Sequence, residues 1–388
     1  MRRLLLVGAA RIGEPYLAAA RRLGLRVTLV ESAAHQERLA GEVDRFVPVP
    51  GTTEEHWAAA AQAAAVEAKP DGVLAFAETQ VIAAALVQDR LGLPGPSLRA
   101  AVISRNKALQ RAHFAAAGLP QPEHLLVDGG ARLDDAIAWA ESRLPVVVKP
   151  LSLSGSRGVV AVGDPADLPE RLAAGKLLLE RQAVGPEYSW EGILRDGRIL
   201  FGNVTVKETT GPPEFVEVAH RAGERPSPAV DGLARGVVGA LGVRSGIVHL
   251  EFILTEDGPV VIEVAVRTPG DCLMDVLALT YGFDPYEAVV SIAMGEPVDL
   301  PAAPVAHGAI WFPEASPGTV TAIEGADVLA GHPHVARVRL LKSAGDTVAG
   351  LVSSAQRVGY LLFRAPTAAE LDTAMAEARK TFAIRTRP

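Results

Sequence analysis

Short apolar runs alternate with longer amphipathic or alanine-rich stretches along the amino-terminal part of the chain. "RRLLLVGAA" predicts a strand, "GEPYLAAARRLG" a helix and "LRVTLVES" a second strand. "RFVPVP" reads as a short third strand, and "TEEHWAAAAQAAAVEAK" as a helix opening with a Thr cap and early acids. "PDGVLAFAE" is a fourth strand, followed by the helix "TQVIAAALVQDRLG". Strands that alternate with helices imply a parallel, doubly wound sheet. "LPGPS" at 93–97 then punctuates the chain as a domain boundary.

Beyond it the pattern changes. "LRAAVISRNKALQRAHFAAAGLPQP" predicts helices ending at Gly118 and Pro120, and "LPVVVKPLSLSGSRGVVAV" (144–162) a strand, a Gly/Ser loop and a strand. "KLLLERQAV" is another strand, and "RDGR" and "EDGP" mark hairpin turns. A long helical pattern runs from about 272 through "LMDVLALTYGFDPYEAVVSIAMG", and residues 301–388 mix short strands with a closing helix.

Composition narrows the class. With 388 residues, the chain exceeds what one core supports, so two to four domains or subdomains are expected. A hydrophobic share of 49% and a charged share of 21% are those of a soluble globular protein. The formal net charge of −7 argues against partners such as nucleic acid or anionic lipid, and no run approaches a membrane span. The opening "MRRLLLVGAARIGEP" resembles a signal peptide, but Arg11 and Glu14 interrupt it, so a first strand is expected. Cys272 is the only cysteine, which excludes an intramolecular disulfide; a cytoplasmic protein is expected.

Four stretches carry candidate chemistry. "GAARIG" (Gly8 to Gly13) lies between a strand and a helix, with Glu31 where a ribose-binding acid would stand. Ala10 replaces the middle glycine of a dinucleotide fingerprint, so a nucleotide-free Rossmann-like domain is the better reading. The loop "SLSGSRGV" (152–159), which includes Ser154, Gly155 and Ser156, follows Lys149 at the end of an apolar strand. Small residues let backbone N–H groups converge on phosphate oxygens. The loop is either a flexible cover for a nucleotide or a plain turn. "ERQAVGPEYSWEG" sets Glu180 and Glu187 about a Gly-Pro turn; the segment either hinges two lobes around a nucleotide or is simply strand, turn and strand.

The hairpin 246–267 is more specific. In "VVIEVAVRTPGD", Val260, Ile262, Val264 and Val266 alternate on one face, which leaves Glu263, Ala265 and Arg267 on the other. A three-residue loop, Glu256-Asp257-Gly258, sets Glu251 directly across from Glu263. Two facing carboxylates repel unless a hard cation such as Mg²⁺ lies between them, and a two-residue loop would shift the parity.

The ordered set of Lys107, Lys149, the Gly/Ser loop, Glu180, Glu187, Glu251, Glu263 and Arg267 resembles the ATP-grasp superfamily over essentially the whole chain. "EVAVRTPGDCLMDVLALTYGFDPYEAVVSIAMGEP" is similar to its L-amino-acid (dipeptide) ligases, and "SSAQRVGYLLFRAPTAAEL" resembles their small end domain and that of biotin carboxylase. The resemblance implies an α/β fold, α+β in its central part. It would have a Rossmann-like domain at 1–96, a two-lobed ATP-grasp domain at 97–300 with a lid at about 120–182, and a small domain at 301–388. It implies ATP, with Lys107 and Lys149 on the phosphates, the 152–159 loop as lid, and Glu180 and Glu187 beside the nucleotide. Glu251 and Glu263 would hold Mg²⁺, with Mn²⁺ as an alternative, and Arg267 and His220 would serve the acyl site. Glu78 and Gly270 are expected to touch substrate, while Asp271 is expected to cap the long helix. Where the family usually has Asn, this chain has Ala265, so the metal would rest on Glu251, Glu263, phosphates and water.

The implied activity is ATP-dependent joining of an amino-acid carboxylate to an amine. The alternatives are a purine-pathway or carboxylase-type enzyme of the superfamily, or a nucleotide-binding protein without ligase activity. Small-molecule amino-acid substrates are the expected partners, and a homodimer is a reasonable expectation.

Overall fold

The computed structural model describes residues 1–10, 13–128, 133–172 and 175–388. Its first sheet has the strands β1 (Arg3–Val7), β2 (Arg26–Ser32), β3 (Arg45–Val49) and β4 (Gly72–Ala75), in the order β3-β2-β1-β4 and all parallel. Leu5, Val7, Val30 and Val73 bury one face under the alanine-rich helix Glu54–Ala68, whose small side chains permit close approach. Leu4, Leu6 and Leu29 bury the other face in a core shared with Val289 and Ile292 of the helix Pro285–Ala293. That double coverage explains the unbroken apolar runs. Thr53 precedes the alanine-rich helix as expected, but its hydroxyl meets His56 Nδ1 at 2.9 Å rather than capping the backbone.

Strands β5 (His124–Asp128), β6 (Val146–Pro150), β7 (Val160–Val162) and β8 (Lys176–Arg181) form a second, antiparallel sheet in the order β5-β8-β6-β7. Val146, Val148, Leu177 and Leu179 pack it onto the helix Leu133–Glu141, giving this lobe its own core. The largest sheet runs β13-β12-β9-β10-β11-β14-β18-β16. It comprises β9 (Glu187–Arg195), β10 (Arg198–Thr209), β11 (Glu217–Glu224), β12 (Gly246–Thr255), β13 (Gly258–Ala265), β14 (His307–Trp311), β16 (Val335–Leu340) and β18 (Gly359–Ala365). Strands β15 (Gly318–Glu324), β17 (Thr347–Val348) and β19 (Ala383–Arg387) make a small sheet at the carboxyl end.

Two expectations are corrected. The long helical pattern after 272 is two helices, Leu273–Tyr281 and Pro285–Ala293, because Gly282 takes a left-handed conformation and Asp284 caps the second. The β12–β13 turn holds two residues, Glu256 and Asp257, since Thr255 faces Gly258 and Leu254 faces Pro259. A bulge then adds Ile262, so Phe252 faces Val261 while Glu251 still faces Glu263. The extra residue restores the parity that the shorter turn removes. It also changes the core: Val261, Val264 and Val266 are buried, whereas Ile262 borders the cleft.

Candidate active site

Between the β5–β8 lobe and the large sheet lies an open cleft. Lys149 and the Leu153–Ser156 loop line one wall; Glu251, Ile262, Glu263, Ala265 and Arg267 of the β12–β13 hairpin line the other. Residues 181–183, which connect the lobes, form the back. Gly185 in that connection has φ +151°, and a Cβ there would lie 2.2 Å from the Leu254 carbonyl oxygen. No other residue fits so close a crossing.

The charged groups occur in matched sets. Lys107 Nζ donates to Glu263 at 2.9 Å and to the Leu153 carbonyl at 2.9 Å, joining the hairpin to the start of the loop. Lys149 Nζ lies 2.6 Å from Glu180, and Arg111 Nε lies 2.5 Å from the same carboxylate. Burial opposes ionisation of Glu180, yet the Lys149 and Arg111 charges hold its pKa down to about 2. Lys207 Nζ reaches Glu187 at 2.8 Å, Glu251 at 3.1 Å and Glu217 at 3.3 Å. Burial works against the Lys207 charge, but three carboxylates raise its pKa well above the ordinary value.

Behind Glu251 lies a buried polar chain. His249 Nδ1 is 3.0 Å from Glu191 and its Nε2 is 3.2 Å from Glu251. Glu191 also accepts from Ser189, Asn203 and Thr205 at 2.6–2.8 Å. Burial would push the His249 pKa down, but the hydrogen bonds to Glu191 and Glu251 carry it up to about 9. Across the hairpin Ala265 faces His249, so the position offers no oxygen ligand.

The donor set fits Mg²⁺ in one specific way. Among the described residues no three His, Cys, Asp or Glu side chains converge as a ready-made metal cage. Glu251 and Glu263 face each other with their oxygens on the cleft, and each is neutralised by a lysine. Mg²⁺ is commonly held by one or two carboxylates with phosphate oxygens and water completing its octahedron. Two carboxylates on the wall of an open cleft meet the protein's share of that requirement.

A second, open cavity lies beyond Arg267 and Ser154, which line both. Glu78 and Gly270 border it. Arg267 Nε lies 2.7 Å from Glu78, which also meets Arg105 at 2.9 Å. Arg267 is therefore held by Glu78, not by Glu263. His220 is 1% exposed and lines neither cavity in the described structure. Its Nε2 lies 2.8 Å from Asp271. Asp271 does not cap the following helix; it is clasped by Arg357, at 2.9 Å for one of the two contacts, and its burial is outweighed by that guanidinium, which keeps it ionised.

The "GAARIG" segment is not a dinucleotide site in its described part; Arg11 and Ile12 lie outside the described residues. Glu31 accepts from the Ala9 and Ala10 N–H groups at 2.7 Å each, consuming donors that would otherwise face a phosphate. Glu31 is 3% exposed, a loop fastener rather than a ribose ligand.

Three family models match successive parts of the chain: ATP-grasp N-terminal domain over 17–95, ATP-grasp domain over 142–275, and L-amino acid ligase C-terminal domain 2 over 310–387. The chain belongs to the ATP-grasp superfamily. This ATP-grasp chain is similar to the L-amino acid ligase structure from Bacillus licheniformis (TM-score 0.86, 24% identity, covering 100% of this chain and 99% of that one), a likeness of fold. An uncharacterized protein of Sinorhizobium fredii is 32% identical over 322 residues, 78% of this chain and 65% of that protein. Carnosine synthase 1 of Gallus gallus is 28% identical over 335 residues, covering 78% and 36%. The chain thus spans less than two thirds of the length of these curated relatives.

Sequence reasoning missed Arg111, Glu191, Lys207, Glu217, His249 and Arg357. Lys207 and Glu191 carried a usable signal, since each is a charge set inside a strand rather than at its end. Arg357 carried none, because it comes from a loop 86 residues beyond its partner Asp271.

Proposed function

We propose that this chain is an ATP-dependent carboxylate–amine ligase that joins an amino acid to an amine, forming a dipeptide or similar amide. The observation that carries this reading is the direct opposition of Glu251 and Glu263 in a cleft bordered by Lys107 and Lys149, with Arg267 opening on a second cavity.

In this reading the adenine end of ATP lies along 181–183, with Glu187 beside the ribose. Lys107 and Lys149 approach the phosphates, and the backbone of Ser154, Gly155 and Ser156 closes over them. Glu251 and Glu263 would hold Mg²⁺, which neutralises charge on the phosphate oxygens. Arg267 positions the substrate carboxylate, whose oxygen attacks the γ-phosphorus as ADP departs. The planar fork of arginine suits two carboxylate oxygens, and Glu78 keeps that fork oriented. The amine then attacks the acyl carbon, losing a proton, and phosphate leaves. Positioning and charge stabilisation supply most of such a transfer.

The test is ADP release by the full chain with ATP and Mg²⁺ across pairs of amino acids, with product masses read in parallel. An amine-dependent rise in ADP release with a matching condensation product is expected. Nucleotide binding without amine-dependent turnover for any pair, nonprotein amino acids included, would overturn the reading.

A further inference from the structure

The chain turns a costly corner on the wall of the second cavity. Asp271 and Cys272 both take left-handed conformations, at φ +59° and +53°, immediately before the helix Leu273–Tyr281. One non-glycine residue in that region is uncommon, and two in succession persist only where the surroundings hold them. Here the hold comes from a distant part of the sequence. Arg357, in the loop before β18, donates to both Asp271 oxygens, one of them at 2.9 Å, and to the Glu217 carbonyl at 2.9 Å. Its guanidinium lies 3.6 Å from the centre of the Phe312 ring, and His220 meets Asp271 from its other side at 2.8 Å. A planar fork gripped this way fixes the carboxylate in orientation as well as position.

The same segment reaches the other cavity. Three residues before Arg357, the Ser354 N–H lies 3.4 Å from the Gly155 carbonyl in the Gly/Ser loop. The Ser354 hydroxyl is 3.3 Å from Glu217, which lines the first cleft. Residues 354–357 therefore touch the loop over one cavity and the corner of the other. A shift of the loop is passed to the segment that holds the corner, and Arg267, Gly270 and Cys272 line the second cavity on that corner.

We propose that Arg357 is a positioning residue: it keeps the 267–272 corner in the shape that presents Arg267 to the second cavity, and through Ser354 it makes that shape respond to the Gly/Ser loop. Only the link to the loop rests on the nucleotide reading of the first cleft, which supplies the ligand for its test. Cys272, the only cysteine, reports on the corner without turnover. Its thiol is half-buried, and burial pushes its pKa up to about 11, so alkylation by iodoacetamide, followed through the intact mass of the full chain, is expected to be slow. Arg357→Met, which removes charge-assisted hydrogen bonds, should speed alkylation at least about tenfold, and Arg357→Lys should recover part of the protection. Loss of a nearby cation by itself favours the thiol and slows alkylation, so a faster reaction reports access. Repeating the rates in dilute urea separates local opening, which responds weakly, from global unfolding, which responds steeply. If Arg357→Met does not fold, Asp271→Asn weakens the same clasp and takes its place. Equal rates with and without the clasp, or acceleration that follows global unfolding, overturns the positioning role.

ADP–Mg²⁺ should slow alkylation of the unaltered protein by about fivefold or more, the low end of coupling between two sites. Ser354→Pro should abolish that effect. Proline suits the position because Ser354 opens a 3₁₀ turn after the extended Ser353, and it removes the N–H and hydroxyl that reach Gly155 and Glu217. ADP that binds by calorimetry yet leaves the rate unchanged, or slows Ser354→Pro equally, overturns the link to the loop. ADP that does not bind at all sinks the nucleotide reading and the link with it, while the Arg357 comparison, made without nucleotide, still decides the positioning role.

Discussion

Glu180 joins the two lobes, and replacing it by Gln should show how much that junction is worth. The carboxylate is 1% exposed and holds Lys149 of β6 and Arg111 of the helix Lys107–Ala116. Arg111 in turn donates to the Ile262 carbonyl at 2.6 Å, so the contact reaches the bulge of the β12–β13 hairpin. The Glu180 pKa falls from 4.5 to about 2 on folding. That difference corresponds to roughly 3 kcal/mol at neutral pH. Because the folded pKa is the lower one, this contribution is complete above about pH 4.5 and is lost as pH falls through 2. Glu180→Gln should therefore lower stability at pH 7 by about 3–5 kcal/mol, since it also strands two buried cations. Taking both proteins to pH 3 should narrow their difference by about 2 kcal/mol, because the unfolded wild-type chain takes up a proton on Glu180 below pH 4.5 while the folded one still holds the carboxylate ionised. Urea unfolding without nucleotide, followed through tryptophan fluorescence, to which Trp139 of the β5–β8 lobe contributes, measures both quantities. A loss under about 1 kcal/mol at pH 7, or a difference that does not change with pH, would refute the reasoning.

Glu263→Gln should cut ADP release by about a hundredfold or more and weaken Mn²⁺ binding seen by electron paramagnetic resonance, since the proposed metal site would lose one of its two carboxylates; unchanged Mn²⁺ binding would remove Glu263 from that proposed site. His249→Asn should flatten the alkaline limb of stability without nucleotide: the His249 pKa rises on folding from 6.5 to about 9, so its contribution is full below pH 6.5 and is lost as pH rises through 9. Parallel urea midpoints for the two proteins between pH 6.5 and 9.5 would contradict that. Gly185→Ala places a Cβ 2.2 Å from the Leu254 carbonyl at φ +151°, and thermal unfolding should fall by several degrees; an unchanged midpoint would show that the crossing relaxes freely.

The sequence disclosed most of the fold because its strands and helices have local signatures: the apolar runs of β1, β2 and β4 and the helix between β3 and β4 stand where periodicity predicts them. Facing carboxylates were also legible, though by a route that needed correction. A three-residue turn would oppose Glu251 to Glu263; a two-residue turn and a bulge at Ile262 produce the same opposition. The two errors cancel for those acids and not for their neighbours, which is why Ile262, expected in the core, borders the cleft instead. Register beyond a bulge depends on where a strand must bend, a tertiary requirement that no local pattern encodes.

The partners of each charge were not legible at all, and they alter what the charges do. Glu180, read from its strand-end position as a nucleotide neighbour, spends its oxygens on Lys149 and Arg111. It therefore acts by fixing the lysine, a role whose test is stability as much as turnover. Arg267, four residues after Glu263 and on the same face, invited a local pairing, yet Glu78 from the first domain holds it. The residue that grips a carboxylate in the ligase reading is thus aimed by the amino-terminal domain, through the Glu78 carboxylate just after β4. Glu78→Gln should accordingly impair turnover through Arg267 while leaving ATP affinity intact, because Glu78 borders only the second cavity.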